Sequence, residues 1–99
     1  MAETYTSGLW QVKDGEEDAF VAAWTEFVQW GRSKPGSSTF RLVRDHDDPS
    51  RYMSFAPWES FEAQQAWKDD PEFRERIGQV RAHVNDFQPL VYELVTKVG

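Results

Sequence analysis

Apolar and polar positions alternate with a period of two over residues 4–13. Tyr5, Ser7, Leu9 and Gln11 fall on one side, and Thr6, Gly8, Trp10 and Val12 on the other. That period predicts a β-strand. The period then changes. Phe20, Trp24, Phe27, Val28 and Gly31 recur at helical spacing, and Val21, Ala23 and Trp30 widen the stripe. An amphipathic helix is predicted to about Arg32. Asp14 is its expected N-cap and Glu17 the capping-box partner, and the acids at 14, 16, 17 and 18 suit the positive end of a helix. Lys34-Pro35-Gly36-Ser37 reads as a loop.

A second strand is expected over 38–45, with Phe40, Leu42 and Arg44 alternating against Thr39, Arg41 and Val43. The polar turn Asp45–Ser50 makes a hairpin with a third strand over 51–58, which carries Tyr52, Met53, Phe55 and Trp58. Ser60 can cap a short helix running through Lys68. Asp70-Pro71 then restarts a helix with Pro at its first position. Phe73, Ile77, Val80, Val84 and Phe87 continue it as an apolar seam at spacings of 4, 3, 4 and 3. Pro89 is expected to end it, and Leu90 to Val98 to form the last strand. The order βαββαβ predicts an α+β fold, a ferredoxin-like antiparallel sheet with the helices on one face.

The strands alternate poorly for a sheet with one wet face. Leu90, Tyr92 and Leu94 line one side of the last strand, and Val91 and Val95 the other. Tyr52 and Trp58 oppose Met53 and Phe55 in the third. Helices cover only one face, so the other would expose a larger apolar patch than monomers usually carry. An isologous homodimer, sheets packed face to face into a barrel, is the simplest cover.

Composition sharpens this picture. The 99 residues predict a single domain, residues 1–99. Its 15 aromatics and nine Val stand against four Leu and one Ile. A chain this short buries only about 60% of its unfolded surface, so bulky rings or a partner must complete the core. Zero Cys excludes disulfides, thiolate metal sites and a Cys nucleophile. No apolar run approaches a membrane span, and Met1-Ala2-Glu3-Thr4-Tyr5 has no leader character, so no membrane partner and a cytoplasmic location are expected. The net charge of −6 argues against nucleic acid. Arg74, Arg76 and Arg81 come nearest to a basic cluster, but Glu72 and Glu75 interleave them as on a solvated helix face.

The inventory for chemistry is thin. His46 lies in an acidic loop, and His83 flanks the helical seam as a hydrogen-bonded structural residue would. No metal-ligand spacing, phosphate-cradling glycine motif or nucleophile elbow occurs. The adjacent acids Asp47-Asp48 and Asp69-Asp70 read as solvated or capping. The tryptophans remain. Trp67 shares a helix face with Ala63, while Phe61 lies about 120° away, so one ring leaves the common core direction. That ring either packs on the third strand or a partner chain, or it lines an apolar pocket. Such a pocket would be walled by Trp10, Trp24, Trp58 and Trp67, with Tyr52, Ser54, His83 or Tyr92 as polar contacts, and would suit a flat aromatic molecule.

Three segments resemble the antibiotic biosynthesis monooxygenase family of dimeric α+β barrels. They are Trp10-Gln11-Val12-Lys13-Asp14-Gly15-Glu16-Glu17-Asp18-Ala19-Phe20; Trp58-Glu59-Ser60-Phe61-Glu62-Ala63 on to Trp67 and Pro71-Glu72-Phe73; and the tail Phe87-Gln88-Pro89-Leu90 to Val98. The resemblance implies a dimer with one pocket per subunit, and cofactor-free oxygenation of quinols or polyketide aromatics, or oxidative heme degradation. In the heme-degrading branch an Asn on strand one, a Trp on the helix after strand three and a His ten residues beyond are used. Here the Trp is Trp67, the His position holds Ile77 and the Asn position falls on Gly8 or Ser7. No cofactor and no metal are therefore expected. The expected function is a cofactor-independent monooxygenase on a small quinol-like aromatic, with pocket-lining residues and no named general base. The alternative is a non-catalytic barrel that binds a hydrophobic ligand or heme.

Overall fold

A computed structural model describes residues 3–99; Met1 and Ala2, the start of the segment read for targeting, lie outside the described residues. Strand β1 (Thr4–Val12) runs as the alternation predicts, burying Thr4, Thr6, Trp10 and Val12. Gly15, at φ +82°, then turns the chain into helix α1 (Glu17–Gly31). The expected cap Asp14 is not the cap. That position falls to Glu16, whose side chain makes no capping bond and meets His83 instead. A left-handed glycine between Asp14 and the helix moves the start two residues on. The buried stripe of α1 is Phe20, Trp24, Phe27, Val28 and Gly31, as its period predicts.

Strand β2 (Arg41–Arg44) is shorter than the 38–45 expected. Phe40 leaves the ladder and turns its ring edge-on to Trp58 and Trp67, at 5.9 and 5.7 Å between centroids. Strand β3 (Arg51–Trp58) completes the hairpin and buries Tyr52, Ser54, Ala56 and Trp58. Helix α2 (Phe61–Asp69) is capped by the Ser60 hydroxyl, which accepts the Ala63 N–H at 3.1 Å. Pro71 lies two residues before helix α3 (Phe73–Arg81), not at its first position. Asp70 organises the break: its Oδ1 accepts the Glu72 N–H at 2.8 Å and its carbonyl the Phe73 N–H at 2.9 Å.

The C-terminal third departs most from expectation. The seam does not continue as helix through Phe87, and Pro89 ends no helix. Strand β4 (Val84–Glu93) begins at Val84, and no strand spans 94–98. The Lys13 N–H reaches the His83 carbonyl at 2.9 Å and Lys13 Nζ the Ala82 carbonyl at 3.0 Å, tying the end of α3 to the end of β1. Val84 then pairs with Val12, Asp86 with Gln11 and Phe87 with Trp10, so Asn85 is an extra residue, a bulge. A bulge lets Val84 and Phe87, three apart, face the same side of a strand, which is why their spacing imitates a helix. Pro89 is tolerated because β4 is an edge strand.

The sheet order is β2-β3-β1-β4, antiparallel throughout, the ferredoxin-like arrangement the element order predicts. The helices pack on the face of Thr6, Trp10, Tyr52 and Trp58. The other face leaves Leu9, Val43, Met53 and Tyr92 at 38, 44, 40 and 52% exposure. Among the described residues no helix is long and apolar enough to cross a membrane, and no group of three or more His, Cys, Asp or Glu is placed to hold a metal.

Candidate functional site

Between the helices and the inner face of the sheet lies a cavity of about 560 Å³. Its floor is set by a close approach of three residues. Gly8 on β1 stands opposite Ser54 on β3 and Pro89 on β4. The Trp10 indole folds back across this floor and donates its Nε1–H to Ser54 Oγ at 2.9 Å, while its ring stacks on Phe87 at 4.0 Å. A Cβ at position 8 would stand 2.9 Å from Trp10 Nε1 and 3.0 Å from both Ser54 Oγ and a Phe87 ring carbon. Glycine there is a matter of space, since real Cβ atoms do not approach so closely. Ser54 accepts one hydrogen bond in this arrangement, and its own O–H has no acceptor among the described residues.

The walls are aromatic and aliphatic: Trp24, Phe27 and Val28 from α1, Trp67 from α2, Phe73 and Ile77 from α3. Trp67 is held by rings on every side. It stacks on Trp58 at 5.0 Å and meets Phe73 edge-on at 4.9 Å and Phe27 at 5.4 Å. Trp58 stands behind it, its own indole N–H bound to Thr6 Oγ1 at 3.0 Å. Trp67 Nε1 is buried with no hydrogen-bond partner.

Polar groups ring the opening: Lys68, Asp70, Arg74 and Arg81. Asp70 is paired with Lys34 at 2.6 Å. That hydrogen bond, the Glu72 N–H and the charges of Lys34 and Arg76 together hold its carboxyl below the usual range, against the opposing effect of burial. Burial pushes the Lys68 ammonium below its ordinary value.

Of the residues singled out in the sequence, Trp10, Trp24, Ser54 and Trp67 line this cavity. Trp58 backs the wall without lining it. Tyr52 packs on Phe20 at 5.1 Å, deeper in the core. His83 Nδ1 lies 2.9 Å from Glu16 Oε1, outside the lining. Tyr92 is on the opposite sheet face, where the β1–β4 register places it against Tyr5. These four are corrections to the expected lining, for different reasons: register turns Tyr92 to the outer face, Tyr52 and Trp58 face inward but are buried behind other rings, and His83 lies in the turn between α3 and β4. The sequence reading missed Phe27, Phe40, Phe73 and Phe87 as lining, taking them as core or leaving them unassigned. Arg74 and Arg81 are exposed, as expected of a solvated helix face; that they also border the cavity was not anticipated. The seven-residue spacing of those arginines, bracketing Ile77, is a signal that was there to find.

The lining contains no His, Cys, Met or Tyr to ligate iron, and the family's His position, Ile77, sits in the wall as a hydrocarbon.

The model of the family described as antibiotic biosynthesis monooxygenase matches residues 7–78. Among solved structures, SnoaB, a cofactor-independent oxygenase from Streptomyces nogalater, is 17% identical with a TM-score of 0.89, over 99% of this chain and 98% of its own. A protein from Nitrosomonas europaea, described as a candidate antibiotic biosynthesis monooxygenase, is 18% identical with a TM-score of 0.82, over 98% and 94%. A conserved protein from Methanosarcina mazei is 12% identical with a TM-score of 0.82, over 93% and 92%. At these identities the likeness is one of fold. No curated protein matches the chain.

Proposed function

The chain belongs to the antibiotic biosynthesis monooxygenase family, and from that premise we propose that it is a cofactor-independent monooxygenase acting on a flat, phenol- or quinol-like aromatic in the cavity. One observation carries the reading: a buried hydroxyl on the cavity floor, Ser54, held by Trp10 at 2.9 Å and free to donate, in a chamber of aromatic walls. The description of SnoaB as a cofactor-independent oxygenase supports it.

A ring lying against Trp67 or Trp10 would bring one oxygen to Ser54. An ionised phenol or enolate oxygen accepts that hydrogen bond more strongly than a neutral one, so Ser54 favours the substrate anion. The anion is itself the reductant. It passes an electron to dioxygen, the radical pair joins as a new C–O bond, and protonation gives a hydroperoxide. Loss of water, which takes the remaining hydrogen of that carbon, leaves a carbonyl, so a ring C–H (the CH₂ of the keto tautomer, as in an anthrone) becomes C=O, with one oxygen atom in the product and the other in water. The walls keep bulk solvent from the anion and the peroxide.

Oxygen uptake with a panel of hydroquinones and anthrones tests this reading. Uptake with at least one member, lost in Trp67→Ala and Ser54→Ala, is expected. Tight binding of such compounds with no uptake would favour the non-catalytic ligand-binding role instead.

The outer sheet face supports a homodimer as part of the same reading. Leu9, Val43, Met53 and Tyr92 leave it apolar and accessible, and a second copy would cover it face to face. A monomer at micromolar concentration in sedimentation equilibrium would overturn the dimer.

A further inference from the structure

The rim of the cavity is charged opposite to the protein. The chain carries 17 acids against 11 Lys and Arg. Around the opening Lys68, Arg74 and Arg81 face one acid, Asp70. Asp70 is engaged already, by Lys34 at 2.6 Å and by the Glu72 N–H at 2.8 Å. Lys68, Arg74 and Arg81 have no carboxylate partner among the described residues. Arg76, on the same helix, shows the contrast: it pairs with Glu72 at 3.1 Å and lies over Trp30.

The placement follows from helix geometry. Arg74, Ile77 and Arg81 lie at spacings of 3 and 4, one line on α3. The turn that puts Ile77 in the wall therefore sets a guanidinium one turn to either side of it. Lys68 reaches the same opening from the last turn of α2. Arg81 lies over the Phe87 ring at 5.6 Å, Phe87 stacks on Trp10, and Trp10 holds Ser54. A continuous aromatic wall thus runs from the cationic rim to the inner hydroxyl.

We propose that the substrate is an aromatic acid: its ring oxygen goes inward to Ser54, and a carboxylate at its other end is read by Arg74 and Arg81, with Lys68 adding charge. A guanidinium fork matches a carboxylate in geometry as well as in sign. The inference rests on the cavity being the substrate site.

The test uses two isosteric probes, naphthalene-2-carboxylate and naphthalene-2-carboxamide, titrated against the intact protein by quenching of Trp fluorescence. The carboxylate is expected to bind about tenfold more tightly at low salt, a preference that shrinks as ionic strength rises. In Arg74→Gln/Arg81→Gln the ratio of the two dissociation constants is expected to fall to about 2, whereas Arg44→Gln, which removes a cation elsewhere on the surface, leaves it unchanged. Equal affinity of the two probes for the wild-type protein overturns the proposal while leaving the cavity as a binding site. A preference that survives the double substitution, or falls equally in Arg44→Gln, also overturns it. Binding of neither probe removes the substrate-site reading and this inference together. Both arginines are exposed, so the variants fold; circular dichroism checks that they do.

Discussion

Trp10 and Ser54, 44 residues apart, share a hydrogen bond of 2.9 Å that both organises the cavity floor and leaves the serine proton free. The pair is diagonal across the β1–β3 ladder, since Trp10 stands opposite Tyr52 and Ser54 opposite Gly8. Removing either partner should therefore act unequally. Ser54→Ala strands a buried indole N–H, at a cost of about 1–3 kcal/mol. Trp10→Phe removes donor and desolvation together but loses part of a core ring, so its cost comes from packing. Urea unfolding of the two variants separates these terms, and oxygen uptake should fall in Ser54→Ala even where the protein remains folded.

Gly8→Ala should damage the same floor without touching either partner. The added methyl would sit 2.9 Å from Trp10 Nε1 and 3.0 Å from Ser54 Oγ. The indole must swing away, breaking the bond and narrowing the cavity. A loss of about 1–3 kcal/mol is expected, as for other overpacked sites. Trp fluorescence should shift with it, and aromatic probes should bind more weakly. An unchanged spectrum and affinity would mean that the floor yields easily.

Trp67→Ala should be the most costly single change in the walls. It opens a void beside Trp58, Phe73, Phe40 and Phe27, and such truncations cost about 3–5 kcal/mol. Trp67→Phe keeps an aromatic wall and makes no demand on the unpartnered Nε1–H, so a smaller loss is expected. Thermal unfolding of both variants checks the order.

The α2–α3 junction should carry acid sensitivity. Asp70 has its carboxyl held below its ordinary value of 3.8, chiefly by Lys34. A depressed carboxylate contributes stability that is present above the unfolded value and is lost as pH falls through the folded one. Stability at this site should therefore decline only below about pH 4. Asp70→Asn should flatten the acid limb of a stability–pH curve there and leave the region above pH 5 parallel to the wild type. An unaltered acid limb would show that the ion pair is fully screened by solvent.

Much of this architecture is legible in the chain. The buried stripe of α1 follows from its period, and the Ser60 cap from its position before an apolar helix. The element order alone leads to the antiparallel sheet with helices on one face. The exit from α3 is the instructive exception. Val80, Val84 and Phe87 have helical spacing, yet only Val80 is helical. A strand with a bulge at Asn85 satisfies the same apolar positions, and local sequence does not choose between the two. The choice is made by β1, whose free edge hydrogen-bonds to residues 84–93 along its length.

The site divides along the same line. The chain by itself determined which residue types were available: an excess of rings over Leu and Ile, two histidines outside any metal-ligand spacing, and one serine on the third strand at an inner-face position. Only the tertiary structure decided which rings wall the cavity and which stand behind it. Trp58 and Trp67 look equivalent in sequence, but strand register turns Trp58 into the core to bond Thr6, whereas the helix carries Trp67 to the surface of the chamber. It also decided that the exposed Arg74 and Arg81 border the cavity. Side-chain period is a local property and follows from the backbone; what a face looks onto depends on elements distant in the chain, and no local pattern encodes it.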